Sequence, residues 1–190
     1  MPSMLEERVW TADDLLTLDE PGWCHEIIRG DLRRMTGPGW THGRITMRLG
    51  ARIDAFAEST GLGITLAAET GFILERNPDT VRCPDVAFVR RERVPDIWTR
   101  GHLEGAPDLV VEVASPNDSF AWLHDKMLQW MGSGAAMGWL VEPERARVNV
   151  YRRNDAGGFL VEVLTDGVLR GGDVLPGFEL PLAELFAPPR

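Results

Sequence analysis

Apolar side chains recur along this chain at two spacings, one typical of helices and the other of strands. In residues 41–59 they return every three or four positions, which predicts a long helix that Gly61 ends. Thr11 and Asp14 form a capping-box pattern and predict a short helix through Leu18. A last helical turn is predicted at 182–186. The apolar runs between these segments are too short for helices.

Those short runs predict a series of strands. The segment 26–35 is typical of two strands joined through Gly30 and Asp31. Further strands are predicted at 64–67, 72–74, 86–89, 109–114, 139–142, 148–151 and 159–164. The run at 109–114 is almost wholly apolar, as in a central strand covered on both faces. The order of elements therefore predicts an α/β fold.

Another helix is predicted after the strand at 109–114, because Ser115 offers a cap and Pro116 suits a first helical turn. Its apolar stripe is formed by Phe120, Leu123, Met127, Trp130 and Met131. At about 100° per residue, Lys126 lies about 90° from the centre of that stripe. We therefore expect Lys126 at the border of the packed face, where it can lean over the end of a neighbouring strand.

Length and charge limit the classes of function. A chain of 190 residues favours one domain over 1–190, here with an N-terminal helical extension and a Gly/Pro-rich C-terminal tail. The net charge of −9 disfavours a protein that coats nucleic acid non-specifically, because such binding depends on neutralising phosphates. Any contact with nucleic acid must then be local. Three groups of arginines are candidates for such a contact: Arg90, Arg91, Arg93 and Arg100 beside the predicted site, Arg33 with Arg34, and Arg152 with Arg153. The alternative for each group is that its arginines are ordinary solvated surface residues.

The sequence shows no secretory signal and no run of about eighteen apolar residues, so we expect a cytoplasmic protein that does not enter a membrane. Cys24 and Cys83 lack CxxC spacing and could be free or bridged. A cytoplasmic location favours free thiols.

Lys126 is the only lysine, since the other nineteen of the twenty basic residues are arginines. The compact ammonium of lysine has three hydrogen-bond donors around one point charge, a geometry that the planar guanidinium of arginine cannot reproduce. Lys126 is therefore a candidate for a chemical role. Two carboxylates precede it, Asp85 before the strand at 86–89 and Glu112 within the apolar run. Two strand-borne carboxylates and a lysine suit a divalent metal that activates water beside a phosphate.

The distance between strands decides which carboxylates can share a metal. Asp108 and Glu112 lie on one strand, about 13 Å apart, too far for one ion. Asp85 and Glu112 lie on different strands, about 4.8 Å apart if those strands are neighbours. Asp108 is then expected to be a turn acid at the strand entry, with a contribution at the edge of the site as the alternative.

Structural explanations compete with the catalytic one. Glu112 is costly to bury without a neutralising partner, and a purely structural ion pair with Lys126 would explain both residues as well. His25, His42, His102 and His124 have no metal-binding spacing, so oxygen ligands favour Mg²⁺ over zinc. His42 begins the long helix, and a capping or surface role is favoured for it over an approach to the site.

Four segments resemble the Uma2 family of putative restriction endonucleases, which is assigned to the PD-(D/E)XK nuclease superfamily. They are His25-Glu26-Ile27-Ile28-Arg29-Gly30, Pro84-Asp85-Val86-Ala87-Phe88-Val89, Pro107-Asp108-Leu109-Val110-Val111-Glu112-Val113-Ala114-Ser115-Pro116 and Trp139-Leu140-Val141-Glu142-Pro143, with Lys126 before the last. The resemblance implies a restriction-endonuclease-like mixed central sheet flanked by helices. It covers about residues 11–162.

The resemblance also implies roles for the site residues. Asp85 and Glu112 would be metal ligands with the Val113 carbonyl as a third, Lys126 would be the motif lysine, and Glu26 would complete the site. The superfamily lysine usually stands two residues after the acid, where this chain has Ala114. Here it would come from the following helix. The family commonly has tyrosine before the upstream acid, whereas this chain has His25.

The expected activity is divalent-metal-dependent hydrolysis of phosphodiester bonds in nucleic acid, with DNA as substrate and Mg²⁺ as cofactor, for which Mn²⁺ could substitute. Two alternatives remain open: a nuclease-fold binding or regulatory module with an idle site, and a hydrolase of a small phosphate ester. By analogy, a symmetric homodimer would cleave two strands most readily.

Overall fold

The computed structural model describes residues 8–96, 101–154 and 156–188. Within them lie four helices, α1 (Ala12–Thr17), α2 (Trp40–Thr60), α3 (Phe120–Gly132) and α4 (Leu182–Leu185). The strands before α3 are β1 (Trp23–Ile28), β2 (Asp31–Thr36), β3 (Gly63–Ala67), β4 (Phe72–Glu75), β5 (Thr80–Arg82), β6 (Val86–Arg90), β7 (Leu103–Glu104) and β8 (Leu109–Val113). Those after it are β9 (Met137–Glu142), β10 (Arg147–Arg153), β11 (Phe159–Leu164), β12 (Val168–Arg170) and β13 (Glu179–Pro181).

A six-stranded mixed sheet forms the centre of the fold, in the order β11-β10-β9-β8-β6-β3. β8 runs parallel to β9 and antiparallel to β6. Every residue of β8 is buried, as its apolar run predicts for a strand covered on both faces. The α/β fold with a mixed central sheet flanked by helices is confirmed.

The two faces of this sheet pack against different helices. On one face, Ile45, Leu49 and Ile53 of α2 share a core with Val111 and the C-terminal segment. On the other, the apolar side of α3 shares a core with Val110 of β8 and other strand residues. Because side chains alternate along a strand, Glu112 of β8 lies on the same face as Val110 and is directed towards α3.

A second, five-stranded sheet lies on the far side of α3, in the order β2-β1-β5-β4-β7. Arg82 at the end of β5 donates from Nε to Gln129 Oε1 of α3 at 2.8 Å. Phe72 of β4 meets Trp130 of α3 edge to face, with ring centroids 6.1 Å apart. α3 therefore contacts both sheets, and a side chain on it can meet residues from either one.

Several local predictions hold. Thr11 caps α1 in a capping box with Asp14, and Gly61 ends α2 in the left-handed conformation. The β1–β2 hairpin exists, but its turn residues are Arg29 and Gly30, one position earlier than predicted, with φ of 51° and 84°. In the described residues no helix is both long and apolar enough to cross a membrane.

The predicted start of α3 is wrong by four residues. Ser119, not Ser115, is the N-cap, and its side chain accepts from the Trp122 amide at 3.2 Å. The Asp118 carboxylate instead accepts from the Ser115 amide at 2.8 Å, while the Asp118 amide donates to the Ser115 carbonyl at 3.0 Å. These two bonds close a turn that delays the helix.

Four of the strands in the described residues were not predicted. They are β5, β7, β12 and β13, each two or three residues long. Runs of that length carry too few positions to show an alternating pattern. Cys24 and Cys83 are free thiols, as favoured from the sequence.

Candidate active site

The ammonium group of Lys126 is the centre of a buried charge cluster between α3 and the two sheets. Its Nζ lies 2.9 Å from Glu112 Oε1 and 3.0 Å from Glu112 Oε2, and 3.0 Å from Glu26 Oε1. It also donates to the Cys83 carbonyl at 3.4 Å. The side chain is only 5% exposed, so the prediction of a border position at the edge of the wet face is wrong. Carboxylates from two different sheets make this burial tolerable.

Glu112 reaches this cluster from the buried strand β8. Besides Lys126, its Oε1 accepts from Trp130 Nε1 of α3 at 2.8 Å. Burial and the negative charges of Asp85 and Glu26 outweigh the attraction of Lys126 and raise the pKa of Glu112 to about 7. One ammonium therefore does not fully neutralise the carboxylates around it.

Glu26 reaches the cluster from β1 of the other sheet. Its Oε2 accepts from Arg82 at 2.6 Å, and its Oε1 accepts from the Cys83 amide at 3.0 Å as well as facing Lys126. Burial opposes ionisation, but the positive charges of Lys126 and Arg82 are stronger and lower the pKa of Glu26. With both oxygens engaged by protein groups, Glu26 is placed to hold Lys126 and Arg82 in position.

Asp85 lies just before β6, at the end of the sheet where β8 finishes. Its amide donates to the Val111 carbonyl at 3.1 Å, and its Oδ2 accepts from the Val113 amide at 2.7 Å. Its Oδ1 lies 3.1 Å from His42 Nε2 of α2. The Asp85 side chain is 18% exposed, against 1% for Glu26 and 5% for Glu112. Asp85 is thus the carboxylate of the cluster that solvent and ligands reach most easily.

Charge is shared unevenly across the cluster. Arg82 and Lys126 supply two fixed positive charges against the three carboxylates of Glu26, Asp85 and Glu112. Burial disfavours the charged form of His42, but its hydrogen bond to Asp85 and that carboxylate's charge raise the pKa of the imidazole overall. The carboxylates surrounding Lys126 likewise raise the pKa of its ammonium despite burial, so it stays charged. The site has spare capacity for a cation at Asp85 and Glu112.

A family model described as "Uma2: Putative restriction endonuclease" matches residues 12–183 of this chain. The chain belongs to the Uma2 family. Among solved structures, the crystal structure of a putative nuclease belonging to DUF820 from Anabaena variabilis ATCC 29413 matches with a TM-score of 0.77 and 23% identity. The match covers 93% of this chain and 97% of that one, which establishes a shared fold. No curated protein sequence matches the chain significantly.

The donors of this Uma2 family member fit a hard divalent cation. Asp85 and Glu112 present carboxylate oxygens at one end of adjacent strands, and the charge of Asp85 raises the pKa of Glu112, so the two groups act on each other. Within 8–96, 101–154 and 156–188, no three His, Cys, Asp or Glu side chains are arranged to hold one ion. Only two side chains, Asp85 and Glu112, would therefore be ligands, and main-chain oxygen, water and phosphate would complete the coordination shell of the ion.

The opposite end of β8 is chemically different. Asp108 Oδ2 accepts from the Arg90 amide at 2.9 Å and lies 3.0 Å from an Arg93 guanidinium nitrogen. This agrees with the predicted structural role of Asp108. Arg90 is the last residue of β6 and Arg93 follows it, whereas Asp85 precedes it, so the expectation that these arginines adjoin the site is wrong. Arg100, from the same predicted group, lies outside the described residues.

Two residues of this Uma2 protein have roles that the sequence did not indicate. His42 is only 8% exposed and contacts Asp85, although a capping or surface role was favoured for it. Trp122 is 42% exposed, with Lys126 Nζ 5.8 Å from its ring centre. A histidine in the first turn of a helix and a tryptophan four residues before the sole lysine are the only signals that could have found them.

Proposed function

We propose that this protein is a divalent-metal-dependent endonuclease that hydrolyses phosphodiester bonds, with DNA as its substrate. Asp85, Glu112 and the main-chain carbonyl of Val113 would hold the ion, and Lys126 would act beside it. Glu26 is assigned a positioning role, because two cations, Arg82 and Lys126, already neutralise its carboxylate, whereas within the described residues Glu112 faces Lys126 alone. Mg²⁺ is the favoured ion, and Mn²⁺ would replace it, because both accept oxygen ligands in octahedral geometry.

The observation that supports this proposal most strongly is the position of the sole lysine. Lys126 comes from a helix, Glu112 from one sheet and Glu26 from the other. The Lys126 ammonium nevertheless lies 2.9 Å from a Glu112 oxygen and 3.0 Å from a Glu26 oxygen, at the end of the strand that carries Glu112. Asp85 lies at that same end, tied to the Val113 amide. A structural ion pair between Lys126 and Glu112 would need neither Asp85 nor His42 beside it.

The chain's own groups account for most of the proposed chemistry. A bound divalent cation would lower the pKa of a coordinated water and neutralise phosphate charge. The Lys126 ammonium would orient the attacking water and stabilise negative charge developing on the phosphate oxygens. His42, through its contact with Asp85 Oδ1, would fix the orientation of that carboxylate. Glu26 and Arg82 would keep Lys126 from moving away when Glu112 binds the ion.

An exposed aromatic side chain favours a polymer over a small phosphate ester. Trp122 is exposed beside Lys126, where an unpaired base could stack on it.

Nicking of supercoiled DNA with Mg²⁺, compared with EDTA, tests the proposal. We expect metal-dependent nicking that Asp85→Asn and Glu112→Gln abolish. Asp108→Asn is the matched variant, because it removes a buried carboxylate charge just before the start of β8, at the opposite end from the site, and it should nick normally. Equal nicking by all three variants would refute the assigned site. Metal-dependent binding of DNA without hydrolysis by the wild type would support the binding-module alternative.

A further inference from the structure

β11 is an edge strand whose side chains are exposed on both faces of the sheet. It is the last strand of the six-stranded sheet and pairs with β10. Leu160 is 60% exposed, Val161 41% and Val163 52%, and Glu162 between them is exposed as well. The sequence Phe-Leu-Val-Glu-Val-Leu offers unpaired main-chain groups next to apolar side chains.

Edge strands of monomeric proteins usually carry features that prevent pairing with another chain. Lysine, proline, a bulge or a covering segment are the common ones. β11 contains neither lysine nor proline, and its six residues pair one to one with β10 without a bulge. Its only charged residue is Glu162. An apolar strand of this kind calls for a partner strand.

We propose that a second copy of this chain pairs with β11 in antiparallel orientation about a two-fold axis at Val161. In this register Val161 faces Val161 of the second copy, and Phe159 faces Val163 of the second copy. Residues directly opposite in an antiparallel pair lie on one face, so these side chains form a continuous apolar row. A two-fold axis at Glu162 would instead place two carboxylates opposite each other, which is unfavourable.

Charges also fit the register centred on Val161. On the other face, Leu160 lies between Arg152 of β10 and Glu162 of the second copy in one cross-strand row. Arg152 lies 3.8 Å from its own Glu162. Its buried Nε has no hydrogen-bond acceptor in the part of the chain that the structure describes. A second carboxylate in that row would give Arg152 a partner from each copy.

This arrangement predicts how the two sites would lie in the dimer, a point that rests on the proposed function. A two-fold axis perpendicular to the sheet reverses strand direction, so the ends of the two β8 strands would point in opposite directions. The two sites would then act separately, and each encounter with DNA would cut one strand. Dimerisation itself does not depend on the activity, so the two proposals can fail independently.

Sedimentation velocity over a concentration series tests the interface. We expect the wild type to reach twice the 21.2 kDa mass of the chain. Val161→Lys and Val161→Glu should each remain at the single-chain mass, because like charges would meet at the axis, and a mixture of the two should recover the doubled mass. Met47→Lys changes an exposed apolar residue of α2, 65% exposed, and should leave the mass doubled.

A wild type that stays at the single-chain mass at every concentration, or a Val161→Lys variant that stays dimeric, would overturn the proposal. Hydrogen exchange of the wild type gives a second test that needs no variant. Amides of residues 160–163 that point away from β10 should be protected at high concentration and lose protection on dilution. Exchange independent of concentration would contradict the interface. Nicking by folded Val161→Lys at the wild-type rate per chain is expected from separate sites.

Discussion

The two ends of the buried strand β8 carry one carboxylate each, and the two carboxylates are neutralised in different ways. Asp108 at the start accepts a main-chain amide and lies beside two arginines whose side chains are 35% and 38% exposed. Glu112 near the end shares one buried lysine with Glu26 and senses a third carboxylate, Asp85. At the first end two guanidinium groups surround one carboxylate, and at the second three carboxylates face the two fixed cations Lys126 and Arg82.

This difference separates a structural acid from a candidate metal ligand on the same strand. A carboxylate paired with nearby arginines is satisfied by the protein alone, and its role ends with the fold. A buried carboxylate whose pKa is raised by like charges is unfavourable in the absence of a cation. The end of β8 near Glu112 therefore has the electrostatic character of a binding site, and the end near Asp108 does not.

The largest effect is expected on stability when Lys126 is removed. Lys126→Met would leave Glu26 and Glu112 facing each other without a charge between them, and the free energy of unfolding should fall by about 3–5 kcal/mol. Asp108→Asn should cost only about 1–3 kcal/mol, because one neutral acceptor replaces a paired carboxylate. Urea unfolding of the variants measures both costs.

A double variant distinguishes charge imbalance from loss of packing at Lys126. Adding Glu112→Gln to Lys126→Met removes the carboxylate that is left without a cationic partner, since Arg82 still faces Glu26, so part of the lost stability should return. If Lys126→Met proved no more destabilising than Asp108→Asn, the cluster would not be the tightly coupled unit described above.

Catalysis should respond at one end of β8 only. Removing a group that stabilises transition-state charge commonly lowers kcat by about 10²–10³. We expect Asp85→Asn to lower kcat for nicking at least this much, with its fold intact because the side chain is partly exposed and neutral asparagine can still accept from the Val113 amide. Single-turnover nicking beside Asp108→Asn measures the difference, and a similar loss in both would remove the distinction between the two ends.

Binding of nucleic acid should depend on Trp122, which lies at the same end as Lys126. Trp122→Ala should weaken binding of a single-stranded oligonucleotide by about 1–3 kcal/mol, the usual contribution of one stacked base. Trp40 is 79% exposed but begins α2 about 200° around the helix from His42, so Trp40→Ala should bind normally. Fluorescence anisotropy without metal measures affinity. A loss of affinity for Trp40→Ala alone would place the binding surface elsewhere.

The smallest effect is expected in how the stability of the protein depends on pH under acidic conditions. Lys126 and Arg82 lower the pKa of Glu26 in the folded protein below its ordinary value of 4.5. A lowered carboxyl pKa gives stability that is complete above the unfolded value and lost as pH falls towards the folded one. Glu112→Gln serves as the background, because the charge of Glu26 also affects the titration of Glu112. The difference in Tm between Glu112→Gln and the double variant with Glu26→Gln should therefore be constant above pH 4.5 and shrink below it. A difference that grows on acidification would contradict the ion-paired state of Glu26.

Much of this fold could be predicted from the sequence because its long elements are periodic. α2, β8 and the three strands β9, β10 and β11 each carry enough apolar positions to define them. The start of α3 could not be predicted, because the Asp118 carboxylate accepts from the Ser115 amide and this contact competes with helix formation. Local patterns indicate possible caps, but a choice between two serines depends on such side-chain contacts.

The site was only partly visible for a related reason. Asp85, Glu112 and Lys126 were found because each is unusual in its own segment, a carboxylate at a strand and the sole lysine. The burial of Lys126 depends on Glu26, a residue of the other sheet that comes much earlier in the chain. The contact of His42 with Asp85 depends on how α2 crosses the sheet end. Helical periodicity treats lysine and histidine as polar and cannot show such long-range pairing.

The most direct test of the central claim is an anomalous difference map from crystals soaked in Mn²⁺. The account predicts one strong peak within coordination distance of carboxylate oxygens of both Asp85 and Glu112, with the Lys126 side chain beside it. A peak bound at Asp108, or clear density for Lys126 between Glu26 and Glu112 with no manganese at Asp85 in a fully soaked crystal, would contradict the assignment.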